Sequence, residues 1–218
     1  MAQVKRSYRS PIREQQAALT RARIVEAAAA EFSERGWSAT TLAGIAERAG
    51  VTPQAVHLAV GAKPALLRRA IETTVSDGEG GRLVDSGQLS AVLGANTGID
   101  DQLAALARAH RQIYERAAPL FAALEEAAAA DPDAAELLRL GGDRRLADMR
   151  RIARRFLPNG SRSAIATAAD ELWVLGGQRV YLEFVHRRGW SSRRYEAWLA
   201  RQLRAAFSSE QDAPPPSD

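Results

Sequence analysis

At 218 residues with 46% apolar side chains, the chain can bury a sizeable core and divides best into two unequal domains. Cysteine is absent, which excludes a disulfide framework, thiolate zinc sites and a thiol nucleophile, and no apolar run approaches the roughly 18 residues of a membrane span. The net charge of +4 is uneven: residues 1–75 carry 11 Lys+Arg against 6 Asp+Glu, whereas residues 76–218 carry 19 against 20. A basic first domain on a neutral second one is the distribution expected of a protein that meets a polyanion with one end.

The chain opens with Lys5, Arg6, Tyr8 and Arg9 ahead of Pro11 and lacks the apolar stretch of a signal peptide, so a cytoplasmic location without a membrane partner is expected. Residues 1–19 read as a flexible basic arm, either a solvated tail or a segment able to reach a minor groove. A helix starting between Ile12 and Thr20 repeats Ile24, Ala28 and Phe32 along one face and stops at Gly36. Trp37 follows as an aromatic anchor for what comes next.

Residues 41–63, TLAGIAERAGVTPQAVHLAVGAK, read as two short helices joined by a glycine turn. Thr41 is placed to cap the first, whose inward positions are Leu42, Ile45 and Ala46, and Gly50 stands where the chain must reverse. Thr52 caps the second, Pro53 occupies its first position, and Val56 and Val60 point inward. That leaves Gln54, Ala55, His57 and Leu58 on the outer face. A helix this short is suited to lying with its first turns in a major groove; the plainer alternative is a small corner of a helical bundle.

A fourth helix, Lys63 to Asp77, buries Leu66, Leu67, Ala70 and Ile71 and bridges the two halves, with Lys63 adding a cation where helix N–H groups already favour a phosphate. Gly78 to Thr97 is a Gly-, Ser- and Asp-rich connecting loop; its Gly78-Glu-Gly80 lacks the strand and third glycine of a dinucleotide fingerprint. The remainder is helical. Asp100 opens a helix bearing Leu103, Leu106, His110, Ile113 and Tyr114, Pro119 begins another that Asp131-Pro132 stops, and Asp133 opens a longer one that Gly141-Gly142 should kink. On that helix Arg144, Arg145, Arg150, Arg151, Arg154 and Arg155 read as a solvated face opposite Leu137, Leu138, Leu146, Met149, Ile152 and Phe156. A small-residue helix spans 163–188, with Gly176 expected at a close approach between helices of two copies of the chain. A last helix from Arg193 to Phe207 offers Trp198, Leu199, Gln202, Leu203 and Ala206, and residues 208–218 form a disordered tail.

Residues 20–72, and within them Ala46-x-x-x-Gly50-Val51-Thr52-Pro53, closely resemble the DNA-binding domain of the TetR/AcrR family of transcriptional regulators. The resemblance implies an all-α protein, with a three-helix helix-turn-helix domain at 20–62, the bridging helix at 63–77 and a larger ligand-binding and dimerisation bundle at 78–207. It implies a homodimeric repressor of a palindromic double-stranded DNA operator, released by a small-molecule effector, with the last two helices forming the dimer interface. Pro53, Gln54 and Ala55 would approach base edges and Thr41, His57 and Lys63 would hold phosphates, with Thr52 beside them at the helix start. The chain departs from the family at His57, Leu58, Val60 and Pro64, and Leu58 is placed to meet a thymine methyl. His110, Tyr114, Met149, Trp173, Gln178 and Tyr181 are the candidate lining of a ligand cavity. Catalytic motifs and metal-ligand spacings are absent from the sequence, and neither catalysis nor a cofactor is expected. The rival readings are a small-molecule-binding helical protein whose helix-turn-helix reads no specific DNA, and an all-helical enzyme.

Overall fold

The computed structural model describes residues 11–76 and 98–211; the expected arm tip, the Gly78–Thr97 loop and the last residues of the tail lie outside the described residues. The described residues contain α1 (Pro11–Ala39), α2 (Leu42–Ala49), α3 (Pro53–Ala59), α4 (Lys63–Val75), α5 (Ile99–Ala128), α6 (Pro132–Phe156), α7 (Arg162–Leu175), α8 (Gln178–Tyr181) running into a π-helical turn at Leu182–Arg187, and α9 (Ser192–Gln211). The all-α architecture, with a small N-terminal helix-turn-helix unit and a larger helical bundle, follows the sequence pattern. Residues 11–19, expected in the arm, are already helical.

Two cores hold this arrangement. In the N-terminal one, Ile24, Ala28 and Phe32 of α1 meet Ile45, Ala46 and Ala49 of α2, Val56 of α3 and Leu66, Leu67 and Ala70 of α4. The helical conformation of α1 is broken at Gly36, where φ is 71°, and Trp37 stacks on Phe32 with ring centroids 5.9 Å apart. A buried carboxylate, Glu31, fixes α2 against α1: Arg48 Nε lies 2.9 Å and Arg35 Nε 3.3 Å from its oxygens. In the second core, Leu103, Leu106, Ile113 and Tyr114 of α5 pack with Met149, Ile152 and Phe156 of α6, Ala168, Ala169 and Leu172 of α7 and Tyr181 of α8. The inner stripe of α9 is Tyr195, Leu199, Leu203 and Phe207, repeating every four residues, with Trp198 packed beside it.

α5 belongs to both cores. It continues through Pro119 as one helix of 30 residues, about 45 Å long at 1.5 Å per residue. Before Pro119 its buried residues face the larger core; after it, Leu120, Ala123, Leu124 and Ala127 join the smaller one. The expected helix start at Pro119 is therefore corrected: the missing N–H forgoes one backbone bond, and burial on both flanks outweighs it. Gly141-Gly142 likewise leaves α6 uninterrupted, whereas the expected 163–188 helix is divided at Gly176-Gly177. The bridge between the two cores is thus made by α4 and α5 together.

Candidate nucleic-acid interface

Capping builds the reading unit as the sequence requires. Thr41 Oγ1 accepts the Gly44 N–H at 3.0 Å and Thr52 Oγ1 accepts the Ala55 N–H at 3.2 Å, with Pro53 at the first turn of α3. Gly50, at φ 66°, reverses the chain while its own N–H and that of Val51 satisfy the last carbonyls of α2. Arg23 donates to the Ala49 carbonyl and Arg21 Nε to the Ala59 carbonyl at 3.1 Å, so α1 holds the C-terminal ends of α2 and α3. On this rigid frame Thr41, Thr52, Pro53, Gln54, His57 and Leu58 are exposed and Ala55 is half-buried. Leu58 is 78% exposed, while Val56 on the opposite side of α3 is fully buried. The helix is anchored from one face and leaves polar Gln54 and His57 beside an apolar Leu58 on the other, a side-chain set suited to groove edges.

Lys63, the residue expected to hold a phosphate, also meets the corner before α2. Its ammonium donates to the Trp37 carbonyl and lies 4.3 Å from the Trp37 ring centroid. Burial lowers its pKa, partly opposed by the charge of Glu126. Glu126, near the end of α5, accepts from the Trp37 N–H at 2.9 Å, from the Ser38 N–H at 3.1 Å and from the Ser38 hydroxyl. The corner before α2 is thereby clasped by α4 and α5 at once. Sequence reading missed Glu126, because its partners lie 88 and 89 positions away.

The Ser38 hydroxyl, with the Trp37 N–H next, holds the Glu126 carboxyl below the usual carboxylate range. A lowered folded pKa means the clasp contributes stability above the ordinary value of 4.5 and loses it as pH falls through the folded value. Glu126→Ala should therefore be less stable than wild type at pH 7, and the gap should close as pH is lowered below 4.5, as read by urea melts at each pH. A pH-independent gap would mean that the carboxylate charge is not the source.

The residues expected to line a ligand cavity are partly brought together. His110, Tyr114, Met149 and Tyr181 are buried in the larger core, with Tyr114 and Tyr181 ring centroids 5.8 Å apart. Gln178 is half-buried and Trp173 is 40% exposed. Tyr114 donates its hydroxyl to the Gly176 carbonyl at 2.8 Å, and His110 Nδ1 lies 2.9 Å from the Leu106 carbonyl. Burial pushes the His110 pKa down to about 4 and the Tyr114 pKa up. Arg145 leaves the arginine face of α6: it donates to the Trp173 carbonyl, and its guanidinium lies 5.2 Å from the Trp173 ring centroid.

Gly176 is a correction. It faces His110 within the subunit, where an added Cβ would stand 2.7 Å from Nε2, so it is not a point of close approach between two copies. Gly176→Leu should cost about 1–3 kcal/mol by overpacking, seen as a lowered melting temperature, and leave the association state as in wild type by sedimentation. Intact stability with lost association would reverse this assignment.

Among the described residues no cluster of His, Cys, Asp or Glu is placed to hold a metal ion, and no helix is long and apolar enough to cross a membrane. Residues 24–70 match the family described as bacterial regulatory proteins, tetR family. A Mesorhizobium loti protein named as a TetR-family transcriptional regulator is similar over 89% of this chain and 96% of its own, at 21% identity and a TM-score of 0.64. A transcriptional regulator from Rhodococcus sp. Rha1 is 19% identical, with 89% of this chain and 99% of its own covered and a TM-score of 0.65. One named likewise from Pseudomonas aeruginosa is 17% identical over 94% and 95%, with a TM-score of 0.67. No curated protein matches the chain. Residues 24–70 thus form a regulatory domain of the tetR family, and the chain has the fold of a TetR-family transcriptional regulator.

Proposed function

We propose that the chain is a ligand-responsive transcriptional repressor that binds a palindromic operator as a homodimer and leaves it when a small molecule enters the larger bundle. The observation that carries this reading is α3, clamped on its inner face by Val56 and presenting Gln54, His57 and Leu58 outward. Thr41, Thr52, Pro53 and Ala55 complete the DNA-facing set: the two threonine hydroxyls cap helix starts and retain an O–H to donate to phosphate oxygens. Lys63 acts on DNA indirectly, by fixing the corner around Trp37.

Dimerisation is proposed through α7 and α9, whose outer faces carry Val174, 56% exposed, together with Leu175, Gln202 and Ala205 along one groove. Two copies joined there would present their α3 helices to successive major-groove faces, about 34–36 Å apart. Release follows if a ligand in the larger core shifts α5, since that helix is shared by both cores. The function asks no catalysis of the chain.

Gln54→Ala should relax preference at one base position per half-site and cost about 1–3 kcal/mol, because the Gln54 amide is suited to pair with both hydrogen-bonding groups of an adenine edge. Competition binding against single-base operator variants checks this. Equal discrimination in wild type and variant would displace Gln54 from the reading position, and salt-sensitive binding of every duplex alike would favour the rival reading of a helix-turn-helix without sequence readout.

A further inference from the structure

The arginines of α6 are sorted in a way that helical period alone does not require. Arg139 pairs with Glu136 and Asp143, Arg145 turns inward to the Trp173 carbonyl, and Arg151 and Arg155 have partners of their own. Arg150 and Arg154, one turn apart on the same helix, are exposed, and among the described residues neither side chain makes a hydrogen bond or an ion pair. Arg162, at the first position of α7, is exposed and equally unpaired there. Like charges four residues apart on a helix repel, so the three arginines together hold a positive field that no side-chain partner offsets.

These three arginines line one groove. It lies between the last turns of α6 and the start of α7, encloses about 550 Å³ and is completed by Gly160, Ile165 and Ala166, with no carboxylate among its lining residues. At Gly160 an added Cβ would stand 3.0 Å from Leu157 Cβ and 3.3 Å from the Leu157 carbonyl oxygen, so the turn folds tightly onto Leu157 and adds no side chain to the space. The start of α7 is capped from within, Ser161 Oγ accepting the Ala164 N–H at 3.1 Å, and the groups that attract an anion are therefore the guanidiniums rather than the helix end. The volume is that of a small-molecule site, and its chemistry has two halves. Each guanidinium of the rim carries a fork of N–H donors that matches a phosphate, and the floor is aliphatic, with no aromatic ring on which a flat body would stack. Three cations suit a doubly charged headgroup better than a singly charged carboxylate.

We propose that this groove binds an aliphatic phosphate monoester, with Arg150, Arg154 and Arg162 holding the dianionic headgroup and Ile165 and Ala166 meeting the first carbons of the chain. The site lies on the outside of the larger bundle and stands apart from the regulator reading, which needs neither the groove nor its arginines. The same chemistry is offered by a soluble alkyl phosphate and by the headgroup of a phosphatidic acid.

The test is calorimetry of the full chain with hexyl phosphate, hexanoate and inorganic phosphate, with flotation on phosphatidylcholine vesicles, with and without phosphatidic acid, as a second arm. Hexyl phosphate should bind with Kd below about 1 mM, and about tenfold more tightly than hexanoate, which has one charge fewer, or inorganic phosphate, which has no chain. Its affinity should fall severalfold from about pH 7.5 to about pH 5, because the headgroup takes up a proton at about pH 6. Arg154→Gln, at an exposed and unpaired position, should keep the melting temperature of wild type and weaken hexyl phosphate about tenfold; Arg144→Gln, at an exposed position of α6 outside the groove, should leave that affinity unchanged. Flotation that depends on phosphatidic acid and on Arg154 supports the site with a membrane lipid as the source, and hexyl phosphate binding without flotation supports it with a soluble one. Absence of binding in both arms, equal affinity for hexyl phosphate and hexanoate, or equal losses in Arg144→Gln and Arg154→Gln overturns the proposal. So does an Arg154→Gln chain that loses duplex binding or self-association instead, which would give the groove to DNA phosphates or to a second copy.

Discussion

Phe32→Ala is expected to lose about 3–5 kcal/mol and, with it, operator binding at temperatures where the wild type still binds. Phe32 is fully buried, stacks on Trp37 with an interplanar angle of 8°, and sits among Ile45, Leu66, Leu67 and Leu120. These belong to three helices besides its own, so a cavity here loosens the frame of α2, the start of α4 and the second half of α5 together. Against a typical domain stability of about 5–15 kcal/mol the loss is a large share. A urea melt should show a lower midpoint with unchanged slope. A midpoint within experimental scatter of wild type would mean that the N-terminal core repacks, and the rigid-frame argument for α3 would fail.

Leu58→Glu is the functional counterpart and should separate binding from folding. Leu58 is 78% exposed, so its replacement removes no buried contact and stability should stay within about 0.5 kcal/mol of wild type. On the outer face of α3 the new carboxylate would meet the negative field of the duplex, and affinity for all sequences should fall at least about tenfold. Thermal melts and anisotropy titrations at one fixed salt concentration read the two quantities. A stable variant with undiminished affinity would place DNA away from α3.

Much of the N-terminal unit was legible in the sequence because its signals are local. The caps Thr41 and Thr52, the first-turn Pro53, the reversal at Gly50 and the stripe Ile24, Ala28, Phe32 each act within a few residues of themselves, and each stands where expected. Pro119 misled for the opposite reason. Local propensity argues for a helix boundary there, but α5 is anchored by a different core on each side, and that is tertiary information. Gly176 was assigned to a contact between copies because a small residue invites close approach, yet nothing in the sequence says which partner approaches; the partner is His110, 66 positions earlier. Arg145 was read with five other arginines as one solvated face. Helical periodicity sorts side chains by angle but cannot show that Trp173 of α7 draws one of them inward. The hydrogen bond from Lys63 to the Trp37 carbonyl, 26 residues away, is likewise a contact that no local signal announces. Tyr195 carried a helical-period signal with Leu199, Leu203 and Phe207 that a complete reading of α9 would have caught.

The central claim is that α3 reads sequence, and selection of bound duplexes from a randomised pool tests it most directly. The wild-type chain should enrich a palindrome whose half-sites lie about one helical turn apart, and Gln54→Ala should enrich the same palindrome with one position per half-site relaxed. A pool that stays random while total binding falls steeply with salt would contradict sequence reading, and a motif identical for wild type and Gln54→Ala would contradict reading by this face of α3.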